Sequence, residues 1–226
     1  MASIFKWAVG LTTAPRECST LETSLKSLFR AGWTTPRLFA EPGTRIPQSA
    51  CSLPLTQRDS CLGAFPNWYL ALTELAMRHP DADAWLLCQD DVLYIEGLRA
   101  YLESTLWPSP EAGVVSIYCP SHEHRPGPPE YRRINSAWNT WGALAYVFSC
   151  LGIRRFLSDA TVLEHRFSGP ADGKRNIDSV VGQFCHDSGL SYFVHTPSLA
   201  QHIGRTSTIW HHAAAIGRRR AVGSWF

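Results

Sequence analysis

Short apolar runs alternate along the chain with longer stretches in which apolar side chains recur every three or four residues. Continuous runs of four to eight residues suit buried strands and the wider spacing suits amphipathic helices, so the alternation predicts an α/β fold with a largely parallel sheet. The first strand is expected over Ile4 to Leu11, followed by a loop through Thr12, Thr13 and Pro15. A helix capped by Ser19 or Thr20 would then turn Leu21, Leu25, Leu28 and Phe29 inward. Pro36 to Ala40 predicts a second strand, Gly43 to Pro54 a loop, and Asn67 to Met77 a helix with Pro66 near its start. Ala84 to Cys88 is a wholly apolar strand that breaks into Gln89, Asp90 and Asp91. A helix over Gly97 to Leu106, a strand over Gly113 to Tyr118 and a Pro-rich loop over His122 to Glu130, a candidate lid, come next. Then follow a strand over Ala143 to Phe148, a helix through Phe156, a helix over Asn176 to His186 and a strand over Tyr192 to Val194. Pro197 to Gly204 reads as an irregular polar loop.

Composition narrows the class. With 45% hydrophobic residues in 226, the chain can bury enough side chain to offset the entropy of ordering, and one domain is expected. A domain over residues 1–208 would precede a solvated basic and aromatic tail over 209–226, which carries Arg218, Arg219, Arg220, Trp225 and Phe226. A net charge of +2 gives no clustered basic field for nucleic acid. Lys6 inside the first apolar run, and Pro15 and Arg16 soon after, argue against a secretory leader. No run approaches the ~20 apolar residues of a membrane span. A cytoplasmic protein is expected, with weak peripheral membrane association at most. Seven cysteines without a CxxC pair read as reduced, mostly buried small hydrophobes.

The chemistry gathers at two places. Adjacent carboxylates at the end of a buried strand repel unless something positive neutralises them, and a divalent cation is the economical partner for Asp90 and Asp91. A solvated turn with one acid capping the next helix is the plain alternative. His202, beside Gly204 in a polar segment, could reach a metal held by Asp91, and an imidazole ligand favours Mn²⁺ over Mg²⁺. A lone histidine is otherwise a hydrogen-bonded structural residue.

Five patches in order resemble the GT-A glycosyltransferases. They are Thr12-Thr13-x-Pro15-Arg16, Gln89-Asp90-Asp91-Val92, Trp141-Gly142-Ala143, Asp178 at a late helix start, and Gln201-His202-Ile203-Gly204. The acidic triplet and the PSLxQHIGxxST stretch are most similar to the branching N-acetylglucosaminyltransferases of the type IV class and their bacterial relatives. The resemblance spans residues 4–208 in patches and implies a Rossmann-like, mixed but mostly parallel sheet. It implies that Asp91 and His202 ligate Mn²⁺ (or Mg²⁺) on a UDP-sugar diphosphate, with Gln89 and Asp90 near the ribose or donor sugar. Gln89 departs from the usual first acid of the triplet. Thr12, Thr13 and Arg16 would contact the nucleotide, and Asp178 would be the general base of an inverting transfer.

The chemistry of such a transfer is consistent with those roles. A nucleoside diphosphate leaves well only when its charge is neutralised, and a sugar hydroxyl attacks well only when a carboxylate takes its proton. Asp172 and Glu164 are alternative bases, and Lys174 and Arg175 could meet phosphate. Gly142 would let backbone approach the donor sugar, and Trp68, Trp138 or Trp141 could stack on an acceptor ring, core packing being the ordinary use of such residues. Gly63 and Asn67 sit in a turn that could line the nucleotide pocket. His122-Glu123-His124 lacks a third ligand, and no GxGxxG, Walker lysine, HExxH or nucleophile elbow is present. A metal-dependent, inverting glycosyltransferase acting on a saccharide or other hydroxyl acceptor is therefore expected. The alternatives are a nucleotidyltransferase or a noncatalytic nucleotide- or carbohydrate-binding module.

Overall fold

The computed structural model describes residues 4, 6–137, 140–168, 177–205 and 221. In chain order its elements are β1 (Trp7–Thr13), α1 (Leu21–Arg30), β2 (Arg37–Ala40), β3 (Leu55–Gln57), α2 (Ala64–Arg78), β4 (Ala84–Gln89), β5 (Val92–Tyr94), α3 (Leu98–Thr105), β6 (Ala112–Ser116), β7 (Glu130–Ile134), β8 (Ala145–Ser149), α4 (Cys150–Ser158), α5 (Ala160–Ser168), α6 (Ile177–Ser188), β9 (Ser191–Thr196) and β10 (Ala200–His202). Eight strands form one sheet in the order β3-β2-β1-β4-β8-β6-β9-β7. The half from β3 to β4 is wholly parallel, and β6 and β9 are parallel to each other. Against these, β8 runs antiparallel to β4 and β6, and β7 antiparallel to β9, so the sheet is α/β and mixed.

Helices cover both faces because the central strands are apolar on both. Along β4, Ala84, Leu86 and Cys88 enter one core layer with Leu21, Leu25 and Leu28 of α1 and Leu98 and Leu102 of α3. Trp85 and Leu87 enter the other, with Trp68 and Leu72 of α2, Phe156 of α4 and Phe184 of α6. A strand buried on both sides must read as a continuous apolar run. The crossover from β1 to β2 uses α1 on one face, while that from β3 to β4 uses α2 on the other. The order therefore reverses between β1 and β4, and their carboxyl ends open the crevice where such sheets bind ligands.

Several expectations change. Pro197 to Gly204 is not irregular throughout: β10 pairs antiparallel with β5, setting His202 opposite Val92. The sheet's edges were not expected as strands, and β7, Glu130–Ile134, carries both charge signs, as exposed edges often do. Helix α2 begins at Ala64, which places Pro66 in its first turn. Thr20 precedes α1 without a side-chain cap bond, and Leu70 on α2 is exposed. Only Cys88, Cys119 and Cys185 are buried; Cys18, Cys51 and Cys61 are exposed, and all seven are free. Of the expected tail only Ala221 is described, and it is buried, its backbone exchanging two hydrogen bonds with the Gln201 side chain on β10. Trp138, Asp172, Lys174 and Arg175 lie outside the described residues.

His195 on β9 makes stability sensitive to acid. Its Nδ1–H donates to the Pro197 carbonyl at 2.7 Å, leaving Nε2 to accept from the Tyr101 hydroxyl at 2.6 Å. Burial lowers its pKa below the ordinary value, with the Pro197 bond opposing, so the fold holds the neutral ring. The stabilisation is complete above pH ~6.5 and is lost as pH falls from there through the lowered folded value. Urea unfolding of wild type and His195→Gln between pH 7.5 and 5 should show a stability difference that shrinks on acidification. A pH-independent difference would contradict the assignment.

Candidate functional site

The carboxyl ends of β1 and β4 lie side by side, with Thr12 paired in register with Gln89. Immediately beyond them the chain gathers Thr13, Arg16, Asp90, Asp91 and His202. Asp90 accepts from the Thr13 hydroxyl at 2.5 Å and from Arg16 Nη2 at 2.6 Å. Arg16 Nη1 lies 2.9 Å from Asp91 Oδ2, and His202 Nε2 lies 3.2 Å from that same oxygen. The positive partner of the two acids is thus, in the first instance, the guanidinium of the β1 loop.

Local structure explains this convergence. Ser24 and Ser27 of α1 are buried and bond the backbone of β5: Ser24 Oγ donates to the Val92 carbonyl at 2.7 Å, and the Tyr94 N–H donates to Ser27 Oγ at 2.7 Å. These bonds lock α1, and with it the preceding loop that bears Arg16, to the strand that follows Asp91. From the other side, the pairing of β10 with β5 and a 2.9 Å bond from the Ile203 N–H to the Asp91 carbonyl deliver His202. Residues 111 apart in the chain meet through two three-residue strands.

Electrostatics separates the two acids. Burial drives the Asp90 carboxyl up to about 6, with Asp91 adding repulsion, although Arg16 and Thr13 pull it down. Burial also pushes Asp91 upward, but the bond from His202 and the charge of Arg16 outweigh it and hold this carboxyl below the ordinary value. Two buried carboxylates sharing one guanidinium thus titrate as a pair, Asp91 being the more persistent anion.

The cluster is incompletely satisfied. Asp91 Oδ1, Arg16 Nε and His202 Nδ1 are buried and have no hydrogen-bond partner among the described residues. Native interiors rarely leave such atoms unpaired, and three in one charged cluster are able to take up partners from a ligand. Gly204 adds a second sign. A Cβ built there would stand 2.7 Å from both Asp91 Oδ2 and His202 Nε2, so the glycine lets the backbone lie close against the two atoms where a side chain would press on them. Two ligands of one octahedral ion with bonds of about 2.1 Å stand about 3 Å apart, close to the observed separation. Among the described residues no group of three or more His, Cys, Asp or Glu side chains is placed to hold a metal. A two-ligand protein site is nevertheless what a hard cation uses when phosphates and waters complete its shell.

The other predicted residues divide. Thr12 donates its hydroxyl to the Cys88 carbonyl at 3.2 Å, tying β1 to β4. Gln89 is half-buried, and its N–H meets the Leu144 carbonyl at 2.9 Å, which brings residues 140–144 to the same sheet edge. There Asp178 Oδ1 accepts from the Ala143 N–H at 2.7 Å and from the Tyr146 hydroxyl at 2.9 Å, and Thr140 Oγ1 donates to the Asp178 carbonyl. Asp178 thereby fixes the turn that carries Trp141. Trp141 is exposed and packs edge-on against His122 at 5.3 Å, whereas Trp68 is fully buried in the core. Gly142 permits a close approach to protein rather than to free space, since a Cβ would lie 2.3 Å from the Tyr146 ring and 2.4 Å from Ser116 Oγ. Glu164, the alternative base, is exposed on α5.

Glu41 was missed. It follows β2 as Asp90 follows β4, is 4% exposed, and accepts from the N–H groups of Leu62 and Gly63 at 2.9 and 3.1 Å. Its backbone N–H bonds the Thr13 carbonyl, so it joins the α2 entry to the β1 end of the site. An acid directly after the apolar run Leu38-Phe39-Ala40 was the available signal. Asn67 is buried, bonded to the Phe39 carbonyl and to Arg58, and serves this same rim. Compared with known proteins, the chain matches no family model and no curated protein.

Proposed function

We propose that the protein is a metal-dependent glycosyltransferase of the GT-A kind, moving a sugar with inversion from a UDP-sugar to a hydroxyl of a saccharide or other acceptor. The observation that carries this reading is the meeting of Asp91 and His202, 3.2 Å apart, against Gly204 and beside the β1–β4 switch point. These two side chains would hold Mn²⁺ or Mg²⁺, the imidazole favouring Mn²⁺. When bound, the ion supplies the positive charge that a departing diphosphate needs.

The chain's own groups supply the rest. Thr13 and Arg16 fix Asp90 just beyond the carboxyl end of β4, and Arg16 offers phosphate a planar, permanently charged fork. Thr12 and Gln89, paired across β1 and β4, form the floor on which the nucleotide would rest. Trp141, exposed at the same edge, suits stacking on a sugar ring, with Gly142 seating its turn. Asp178 would take the proton of the attacking hydroxyl as it anchors that turn. Asn at 178 can still accept from Ala143 and Tyr146 but cannot act as a base. Asp178→Asn should therefore bind donor normally and lower kcat by ~10²-fold or more. Normal turnover would remove the base assignment.

The experiment for the whole reading is UDP release from a panel of nucleotide sugars, with Mn²⁺ and with chelator, in the presence of saccharide acceptors. Metal-dependent release with sugar transfer is expected. Nucleotide binding without turnover across the panel would instead favour a noncatalytic binding module.

A further inference from the structure

We infer that Arg16 is a built-in substitute for the metal, holding Asp91 until a diphosphate draws it away, so that divalent cation and nucleotide bind cooperatively and each binds weakly alone. The inference rests on the reading of Asp91 and His202 as the metal pair and adds to it an order and a regulator. The oxygen that meets His202 beside Gly204, Asp91 Oδ2, is the one that Arg16 Nη1 occupies at 2.9 Å, while the other prong of the fork sits on Asp90 Oδ1 at 2.6 Å. With side-chain exposures of 9% for Arg16, 3% for Asp90 and 7% for Asp91, these charges face one another with little water between them. A guanidinium does not deprotonate in proteins. An incoming cation therefore meets a carboxylate whose charge is already matched, and a like charge beside it.

The ion pair does not use every buried atom of its members. Here Arg16 Nε and Asp91 Oδ1 are both buried without partners among the described residues, so the fork has a donor in reserve and the carboxylate an acceptor. The cation answers the second need and a diphosphate the first. Its oxygens accept from the guanidinium in the two-pronged geometry that arginine favours, and Asp91 is then freed for the cation. By linkage, whatever factor the diphosphate adds to cation affinity, the cation adds to diphosphate affinity. Asp90, bonded to Thr13 as well as Arg16, keeps the β1 loop in place during the exchange.

The test is Mn²⁺ binding to the intact protein, read from the electron paramagnetic resonance of free Mn²⁺ with and without UDP, circular dichroism checking each variant's fold. Wild type should bind Mn²⁺ weakly alone and about tenfold or more tightly with UDP. Arg16→Gln should bind Mn²⁺ alone about tenfold more tightly than wild type and lose the enhancement by UDP. Because removing a buried cation can cost folding, Arg16→Lys provides a second reading. Its single ammonium cannot serve both carboxylates, and it should give an intermediate gain. Unchanged or weaker Mn²⁺ binding in the folded Arg16 variants, with binding still abolished by Asp91→Asn, would overturn the inference and leave the metal pair standing. No Asp91-dependent Mn²⁺ binding in wild type, with or without UDP, would overturn both.

Discussion

Asp91→Asn should lower Mn²⁺-dependent UDP binding by more than about 100-fold, beyond the 10–100-fold that substitution of a ligand's supporting residue typically costs. Asparagine has the shape of aspartate, and the backbone bond from Ile203 to the carbonyl of residue 91 does not depend on the side chain. What disappears is the charge that Arg16 and His202 both address through Oδ2. Arg16 would retain Asp90 as its partner, so the β1 loop has a reason to stay in place. Calorimetric titration of UDP with and without Mn²⁺ reads the effect directly. Undiminished Mn²⁺-dependent binding in this variant would place the metal elsewhere.

Gly204→Ala should lower Mn²⁺ affinity by about 10- to 100-fold while removing no ligand, again on the scale of losses near a metal site. The added methyl would stand 2.7 Å from both Asp91 Oδ2 and His202 Nε2, closer than a real Cβ approaches such atoms. The residue's φ lies outside the left-handed region, so alanine brings no backbone strain and the effect belongs to the crowding of the two side chains. The two side chains must part or turn away to admit it. The substitution therefore distinguishes an open coordination space from a close-packed histidine–aspartate bond, and Mn²⁺ titration of a folded Gly204→Ala protein decides between them. Wild-type affinity would show that the space serves packing alone.

The sequence was most legible where burial is two-sided. β4 and β8 are wholly apolar over Ala84 to Cys88 and Ala145 to Phe148, and no turn residue interrupts them, so their identity as central strands could be read directly. The sheet's edges gave no such run. β3 has three residues and β7 pairs on one side only, so neither needs a continuous apolar stretch. β5 and β10 were hidden for a related reason: three residues are too few to show a period of two.

Asp90 and Asp91 were legible as acids at a strand end and His202 as a candidate ligand in a polar loop, Thr13 and Arg16 entered through the family resemblance, and the structure brings all five into one bonded cluster. What local sequence could not show is how they divide the work. That Arg16 would meet the acids, 74 residues away from Asp90, follows from α1 being fastened to β5 by two buried serines. Those serines sit within an apolar stripe, where periodicity counts them as interruptions. Nor could spacing show that Gly142 accommodates Tyr146 and Ser116, or that Asp178 latches the Trp141 turn, since each contact crosses between elements.

The most direct measurement is anomalous diffraction at the manganese edge from crystals of the protein soaked with MnCl₂ and UDP. A manganese peak bonded to Asp91 Oδ2 and His202 Nε2, in the space facing Gly204 and in contact with the diphosphate, is the predicted result. UDP in the crevice with no manganese at that position, or manganese bound away from both side chains, would contradict it.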